Sequence, residues 1–218
     1  MMPVHRGLLL IVAMSGLLQG GRISGHVSLS VEVSKPAVML SPYSRNRYRP
    51  PAERRADNDL SNIVIYIKSH NNLLTSANAA TAVVDQRNIT LLPHVTVTEV
   101  GRPVKFLNSD AVYHNIFSLS KLSRFNLGRF PRGQSRQVAF DNVGIVEVFC
   151  DIHSDMSAVI IVVPNAFFAI PDADGNYMID ELPVGSYTVV AWRENHPEQI
   201  MHIDIKSPVD TVIINFAM

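Results

Sequence analysis

The chain has a single cysteine, Cys150, among 218 residues. One thiol excludes an intramolecular disulfide, a four-cysteine zinc site, a C-x-x-C redox pair and a two-thiolate dicopper centre. Net charge is also missing, since 19 basic side chains balance 19 acidic ones and the pI is near 7.1. Overall charge therefore provides no drive toward nucleic acid or an anionic membrane surface, and partners must be recognised locally. Long apolar runs are lacking too. Gly7–Leu18 is twelve almost wholly apolar residues, and no later run approaches the roughly 18 that a membrane-spanning helix needs.

That short run has a different use. It follows the positively charged Met1–Arg6 and precedes the small, polar Gln19-Gly20-Gly21, the n-region and h-region of a secretory signal. Residues 1–24 are therefore expected to be an export signal, with cleavage somewhere between Gly16 and Gly25. No cysteine follows the apolar run to take a lipid. The mature chain is expected to have no membrane span and to be periplasmic or secreted.

Helical periodicity is scarce as well, and what is present is the two-residue period of strands. His26–Val33 and Val95–Val100 alternate, and Ile63–Ile67 is a short β-branched run. Further strands are expected at 104–107, 137–140, 145–149, 158–163, 177–179, 186–192, 200–205 and 211–216. Many short strands punctuated by Gly, Pro, Asn and Asp predict an all-β chain of antiparallel sandwiches. One stretch breaks the pattern: Ser41–Arg55 holds five arginines and three prolines with almost no aliphatic residue. It is expected to be an exposed loop or a docking patch for an acidic partner rather than a nucleic-acid site.

The lone cysteine stands in C-D-I-H-S-D-M, at the end of the alternating I-V-E-V-F. Cys150, His153 and Met156 follow one another at steps of three, a thiolate, an imidazole and a thioether in one tight loop. A second imidazole, His114, lies 36 residues upstream, just after an expected strand and turn. Two histidines and a cysteine with a weak axial methionine form the donor set of a blue-copper electron-transfer site. Zinc fits Cys-His-His, yet a structural zinc site usually closes with a fourth Cys or His rather than a thioether. A cysteine-histidine hydrolase is the other possibility for these residues, but no Gly-rich oxyanion turn accompanies Cys150. A copper oxidase or nitrite reductase would need further histidine clusters, and no H-C-H triplet occurs. His26, His70, His94, His196 and His202 are scattered and are expected to be surface or structural residues.

From about Val83 to Val163 the sequence resembles the cupredoxins, in particular the plastocyanin- and amicyanin-like small blue copper proteins. The resemblance is carried by Q-x-N-I-T-L-L-P-H-V-T-V (Gln86–Val97), G-R-P-V-K-F-L-N-S-D (Gly101–Asp110), H-N-I-F-S (His114–Ser118), F-x-x-x-G-x-V-E-V-F-C (Phe140–Cys150) and C-x-x-H-x-x-M. The short gap between His153 and Met156 is similar to amicyanin's compact loop. The resemblance implies one type 1 copper held by His114, Cys150, His153 and Met156 in a Greek-key β-sandwich. It also implies that Asn115 ties the two ligand loops together and hydrogen-bonds near the thiolate, and that His153 is the exposed electron port.

Asp172–Trp192 resembles the hairpin of transthyretin-like modules in carboxypeptidase regulatory domains. Its D-x-D-G start lacks a glutamate at the twelfth loop position, where Pro183 stands, which argues against calcium. The opening strands of such a module are similar to Gly25-His26-Val27 and Ile63–Ile67, about a hundred residues upstream. The expected division is a signal (1–24), the first strands of a flanking sandwich (25–70, with the Arg/Pro-rich loop at 41–55), a cupredoxin domain (80–163) and the remainder of the transthyretin-like sandwich (164–218). The expected function is an extracytoplasmic carrier of single electrons that cycles Cu(II)/Cu(I), serves redox partner proteins and makes or breaks no substrate bond, so it is not an enzyme. Copper binding or delivery, and a metal-free binding sandwich, are the alternatives.

Overall fold

The computed structural model describes residues 20–29, 59–69 and 80–218, and no α-helix occurs among them. His70, the stretch 41–55, residues 30–33 and positions 1–19 of the expected signal lie outside the described residues. The N-terminal part gives β1 (Gly21–Ser28) and β2 (Ile63–Ser69). The middle gives β3 (Ala82–Arg87), β4 (Thr90–Leu92), β5 (Val95–Glu99), β6 (Pro103–Asn108), β7 (His114–Ser118), β8 (Phe125–Phe130), β9 (Ser135–Ala139), β10 (Gly144–Cys150) and β11 (Ser157–Val163). The C-terminal part adds β12 (Phe168–Ala169), β13 (Asn176–Leu182), β14 (Gly185–Arg193), β15 (Gln199–Ile205), β16 (Thr211–Ile213) and β17 (Phe216–Ala217). No helix among the described residues is long and apolar enough to cross a membrane.

The strands form four sheets. Two come from the middle of the chain, in the orders β4-β3-β6-β9 and β5-β11-β10-β7-β8. The other two join both ends: β12-β2-β14-β15, and β13-β1-β16 with β17 beside β1. Thus β2, from the N-terminal part, pairs antiparallel with β12 and β14, about a hundred residues later.

Packing stacks the four sheets in the order terminal, terminal, middle, middle. Ile23, Val27, Ile179 and Phe216 on one terminal sheet face Ile63, Ile65, Val189 and Ile205 on the other. Val84, Val104 and Phe106 face Ile116, Val146, Val148 and Ile160 across the middle pair. A third core joins the pairs: Val64, Tyr66, Val190 and Trp192 pack on Val95, Val159, Ile161 and Val163. Strands β2, β14 and β11 are consequently covered on both faces, which is why Ile63–Ile67, Val189–Trp192 and Ala158–Val163 are apolar at consecutive positions rather than alternate ones. The His94 ring adds a polar tie across this join, 3.2 Å from the Ser157 carbonyl and 2.6 Å from the Glu194 carboxylate.

Three details refine the expectations. β1 starts at Gly21, inside the segment 1–24, and Ile23 is fully buried. The expected strand 211–216 is two short strands, because the chain leaves β1 at Ile214 and returns to it at Phe216. β7 and β8 had no strand pattern in the sequence: β7 buries His114, Asn115 and Ser118 on both sides of an apolar pair, and β8 is an edge interrupted by Gly128 at φ +69°.

Two consequences are measurable. A Cβ on Gly25 would stand 1.6 Å from the Ile214 carbonyl oxygen, so the crossing of β1 and the β16–β17 segment requires glycine there. Gly25→Ala is expected to cost about 1–3 kcal/mol, as overpacking does, read as a lower denaturation midpoint of the full chain. Tyr66, in the third core, has its phenol pushed up to about 12 by burial and then by the charge of Glu198 and its hydrogen bond. The unfolded phenol ionises near its ordinary pKa of 10.0 while the folded one stays neutral. This contribution is therefore complete below pH 10 and lost as pH rises through 12. A smaller alkaline loss of stability in Tyr66→Phe than in the parent chain is the expected result.

Candidate metal centre

Sheet register explains how residues 36 positions apart meet. Cys150 closes β10 and pairs with Ile116 of β7. Side chains two apart in a strand share a face, so His114 is Cys150's diagonal neighbour on the inner face. The β10–β11 ladder ends at Phe149 opposite Ser157, leaving 150–156 as a hairpin loop. Within it the Cys150 amide donates to the Met156 carbonyl (3.0 Å) and the Met156 amide to the His153 carbonyl (3.2 Å), which turns His153 back over the cysteine.

Three donor atoms converge there. Cys150 Sγ lies 3.8 Å from His114 Nδ1 and 3.8 Å from His153 Nδ1, and the two nitrogens are 3.2 Å apart. In a triangle with those sides the point equidistant from all three atoms is about 2.1 Å from each, close to the roughly 2.0–2.3 Å of nitrogen and thiolate bonds to a first-row divalent ion such as zinc. The donor set fits a soft or borderline metal ion. His114 is fully buried and Cys150 nearly so, whereas His153 is partly exposed. Met156 is fully buried in the core that also holds Cys150, and its carbonyl and amide both bind the ligand loop.

The groups behind the donors orient them. Asp110 Oδ2 stands 2.9 Å from His114 Nε2. Burial pushes the Asp110 carboxyl up, but hydrogen bonds from the Ile89 amide, the His114 ring and the Asn88 amide together outweigh it and hold it below the usual aspartate value. An ionised carboxylate can only accept, so the contact holds a proton on His114 Nε2 and leaves Nδ1, which faces Cys150 and His153, as the ring's possible donor atom to a metal. Asp110 is itself fixed: Oδ1 accepts from Asn88 (2.6 Å), Oδ2 from Ile89 (2.9 Å), and its own amide donates to buried Asn108. Asn88 and Ile89 have φ of 54° and 56°, and a β-branched residue at positive φ is a strained one held by its surroundings. Asn115 joins the two ligand segments. Its side-chain NH2 donates to the Asp151 carboxylate (3.0 Å) and its backbone carbonyl accepts from the Asp151 amide (3.2 Å).

No protein-family model and no curated protein matches the chain. Among solved structures, parts of it are similar to amicyanin from Paracoccus versutus, with 20% identity and a TM-score of 0.36 over 45% of this chain and 96% of that one. A purple cupredoxin from Nitrosopumilus maritimus is similar over 37% of this chain and 98% of its own, with 22% identity and a TM-score of 0.35. A copper-containing nitrite reductase from Thermus scotoductus is similar over 40% of this chain, with 20% identity and a TM-score of 0.37, and this chain spans only 23% of that one. The fold is an all-β sandwich architecture.

Of the residues singled out in the sequence, His114, Cys150 and His153 are brought into one cluster, and Met156 and Asn115 lie on the segments that carry it. The other described histidines stand apart: His26 is exposed, His202 faces Thr188, His196 faces the Glu194 carbonyl, and His94 ties the sheet pairs together. Asp110 was missed. Its only sequence signal is its place four residues before His114 in a polar turn, which by itself says nothing about direction.

Proposed function

We propose that the chain is an extracytoplasmic type 1 copper protein that carries single electrons between redox partner proteins. The observation behind this reading is the triangle of Cys150 Sγ, His114 Nδ1 and His153 Nδ1, whose dimensions suit one metal ion. Copper would be held by these three atoms with Met156 as a further, weak donor, and bound copper would supply a one-electron Cu(II)/Cu(I) couple. The residues would do the rest. Asp110 holds the His114 tautomer, Asn115 and Asp151 keep the two ligand segments at fixed separation, and partly exposed His153 offers the path to a partner. Strands on both sides keep the donors in place, so little rearrangement accompanies a change of charge at the site.

We further infer that residues 80–163 form a copper domain inserted into a sandwich made by the two ends of the chain, similar to transthyretin-like modules. An export signal would then end before Gly21, since β1 uses Gly21–Ser24. The deciding experiment is Cu(II) loading of the chain lacking residues 1–19. An intense blue absorption, bleached by dithionite and restored by an oxidant, is the expected result. A colourless protein that takes up no copper would overturn this reading, and copper that exchanges rapidly but does not cycle would favour a delivery role.

A further inference from the structure

Charge is balanced over the whole chain but not along it. From Arg102 to Phe140 seven lysines and arginines accompany one acid, Asp110; from Asp141 to Met218 twelve acids accompany two cations, and eight of those acids belong to residues 164–218. The fold keeps those eight acids of residues 164–218 apart from the cations of residues 102–140. β8 is the free edge of the five-stranded sheet at the end opposite β5, and it is the β5 and β11 end that packs on the terminal sheets. Four strand spacings of about 4.8 Å put roughly 19 Å between β5 and β8, about twice the Debye length in physiological salt. The acids of the terminal sheets are therefore screened from the β8 side, where the nearest acids are Glu147 on β10 and Asp151 beside Asn115.

That side is built as a cationic edge. β9 is the free edge of the facing sheet, and the turn at Pro131–Gln134 joins it to β8, so the two edges close one flank of the sandwich. Arg124, Arg129, Arg132 and Arg136 are all exposed along it. Arg124, Arg129 and Arg132 make no ion pair among the described residues, and the Arg136 guanidinium lies over the Phe130 ring at 5.3 Å. The edge adjoins the metal centre: across β7 and β8, His114 pairs with Phe130 and Asn115 with Arg129.

We infer that this β8–β9 edge is the docking surface for an electron-transfer partner that presents an acidic protein surface, an inference that rests on the electron-carrier reading above. Guanidinium groups take carboxylates through two parallel hydrogen bonds. Uncompensated charge of one sign steers an oppositely charged partner and speeds encounter by about 10- to 1000-fold, an effect that salt removes. Arginines on both edges also discourage a foreign strand from adding to either sheet, so recognition proceeds through side chains.

The test compares the full chain with a triple variant, R124E/R129E/R132E, that keeps Arg136 on its ring. The first probe needs no metal: an oligoglutamate peptide titrated at low ionic strength is expected to bind the parent chain and to bind the variant at least about tenfold more weakly. The second uses the Cu(I)-loaded chain, which gives one electron to hexacyanoferrate(III), reducing iron(III) to iron(II), or to tris(phenanthroline)cobalt(III), reducing it to cobalt(II). The variant is expected to slow the reaction with the anion about tenfold or more and to speed that with the cation, while the visible absorption of its Cu(II) form stays that of the parent. Equal oligoglutamate affinity in the two proteins would overturn the inference. So would binding of parent chain to phosphatidylglycerol vesicles without binding to oligoglutamate, or a salt-sensitive self-association abolished by the variant. Failure of the parent chain to take up copper would instead overturn the electron-carrier reading, whatever the peptide titration gives.

Discussion

Cys150→Ser is expected to abolish the intense visible absorption of the copper-loaded chain while leaving its far-ultraviolet circular dichroism unchanged. The absorption depends on a thiolate donor, and Cys150 is the chain's only cysteine. Serine keeps the size of the side chain and the amide that donates to Met156, so the hairpin loop stays closed. What it removes is the soft anion that pairs with two imidazoles. Copper affinity is expected to fall by well more than the roughly 10- to 100-fold typical of losing a group that only orients a ligand. Equilibrium competition with a chelator of known affinity checks this. An equally coloured serine variant would remove Cys150 from the ligand set.

The second large effect is expected at Asp110. Asp110→Asn keeps an acceptor for the Asn88 amide but replaces Oδ2, which takes the Ile89 amide and faces His114 Nε2, with an amide nitrogen that can only donate. Two donors cannot share that 2.9 Å contact. His114 is then driven toward the other tautomer, whose Nδ1 proton points at Cys150 and His153. Copper affinity is expected to fall about 10- to 100-fold, and the reduction potential to rise because a negative charge that favours Cu(II) is gone. Nitrogen NMR of the metal-free chain gives a separate check: His114 is protonated on Nε2 in the parent and shifts toward Nδ1 in the variant. Asp110→Ala goes further, leaving the amides of a strained turn without their acceptor, and is expected to cost about 2–3 kcal/mol of stability.

How much of this could be read beforehand depends on what kind of signal each part leaves. Strands with one wet face alternate, so β6, β10 and β15 fell within a residue or two of their observed ends. The loop C-D-I-H-S-D-M carries three ligand candidates in one hairpin, and its spacing alone placed Cys150, His153 and Met156 together. His114 could be named from residue type, but its strand could not. β7 is held by buried polar groups such as Asn115 and Ser118, and such residues carry no period. Asp110 was illegible for a related reason: its role depends on a hairpin turn at Asn88-Ile89, about twenty residues upstream, folding back over it. β-Branched Ile89 at positive φ is a conformation that sequence rules assign to glycine or asparagine.

The apolar join between the two pairs of sheets bears on how the molecule is lost as well as how it is built. Val95, Val159, Ile161 and Val163 share one core with Val64, Tyr66, Val190 and Trp192, and Val97 and Phe168 pack against it. Neither half can open without wetting a face of the other. Heating should therefore melt the chain in one step, and a lesion such as Gly25→Ala, at the end far from the metal, should lower the temperature at which bound copper is released.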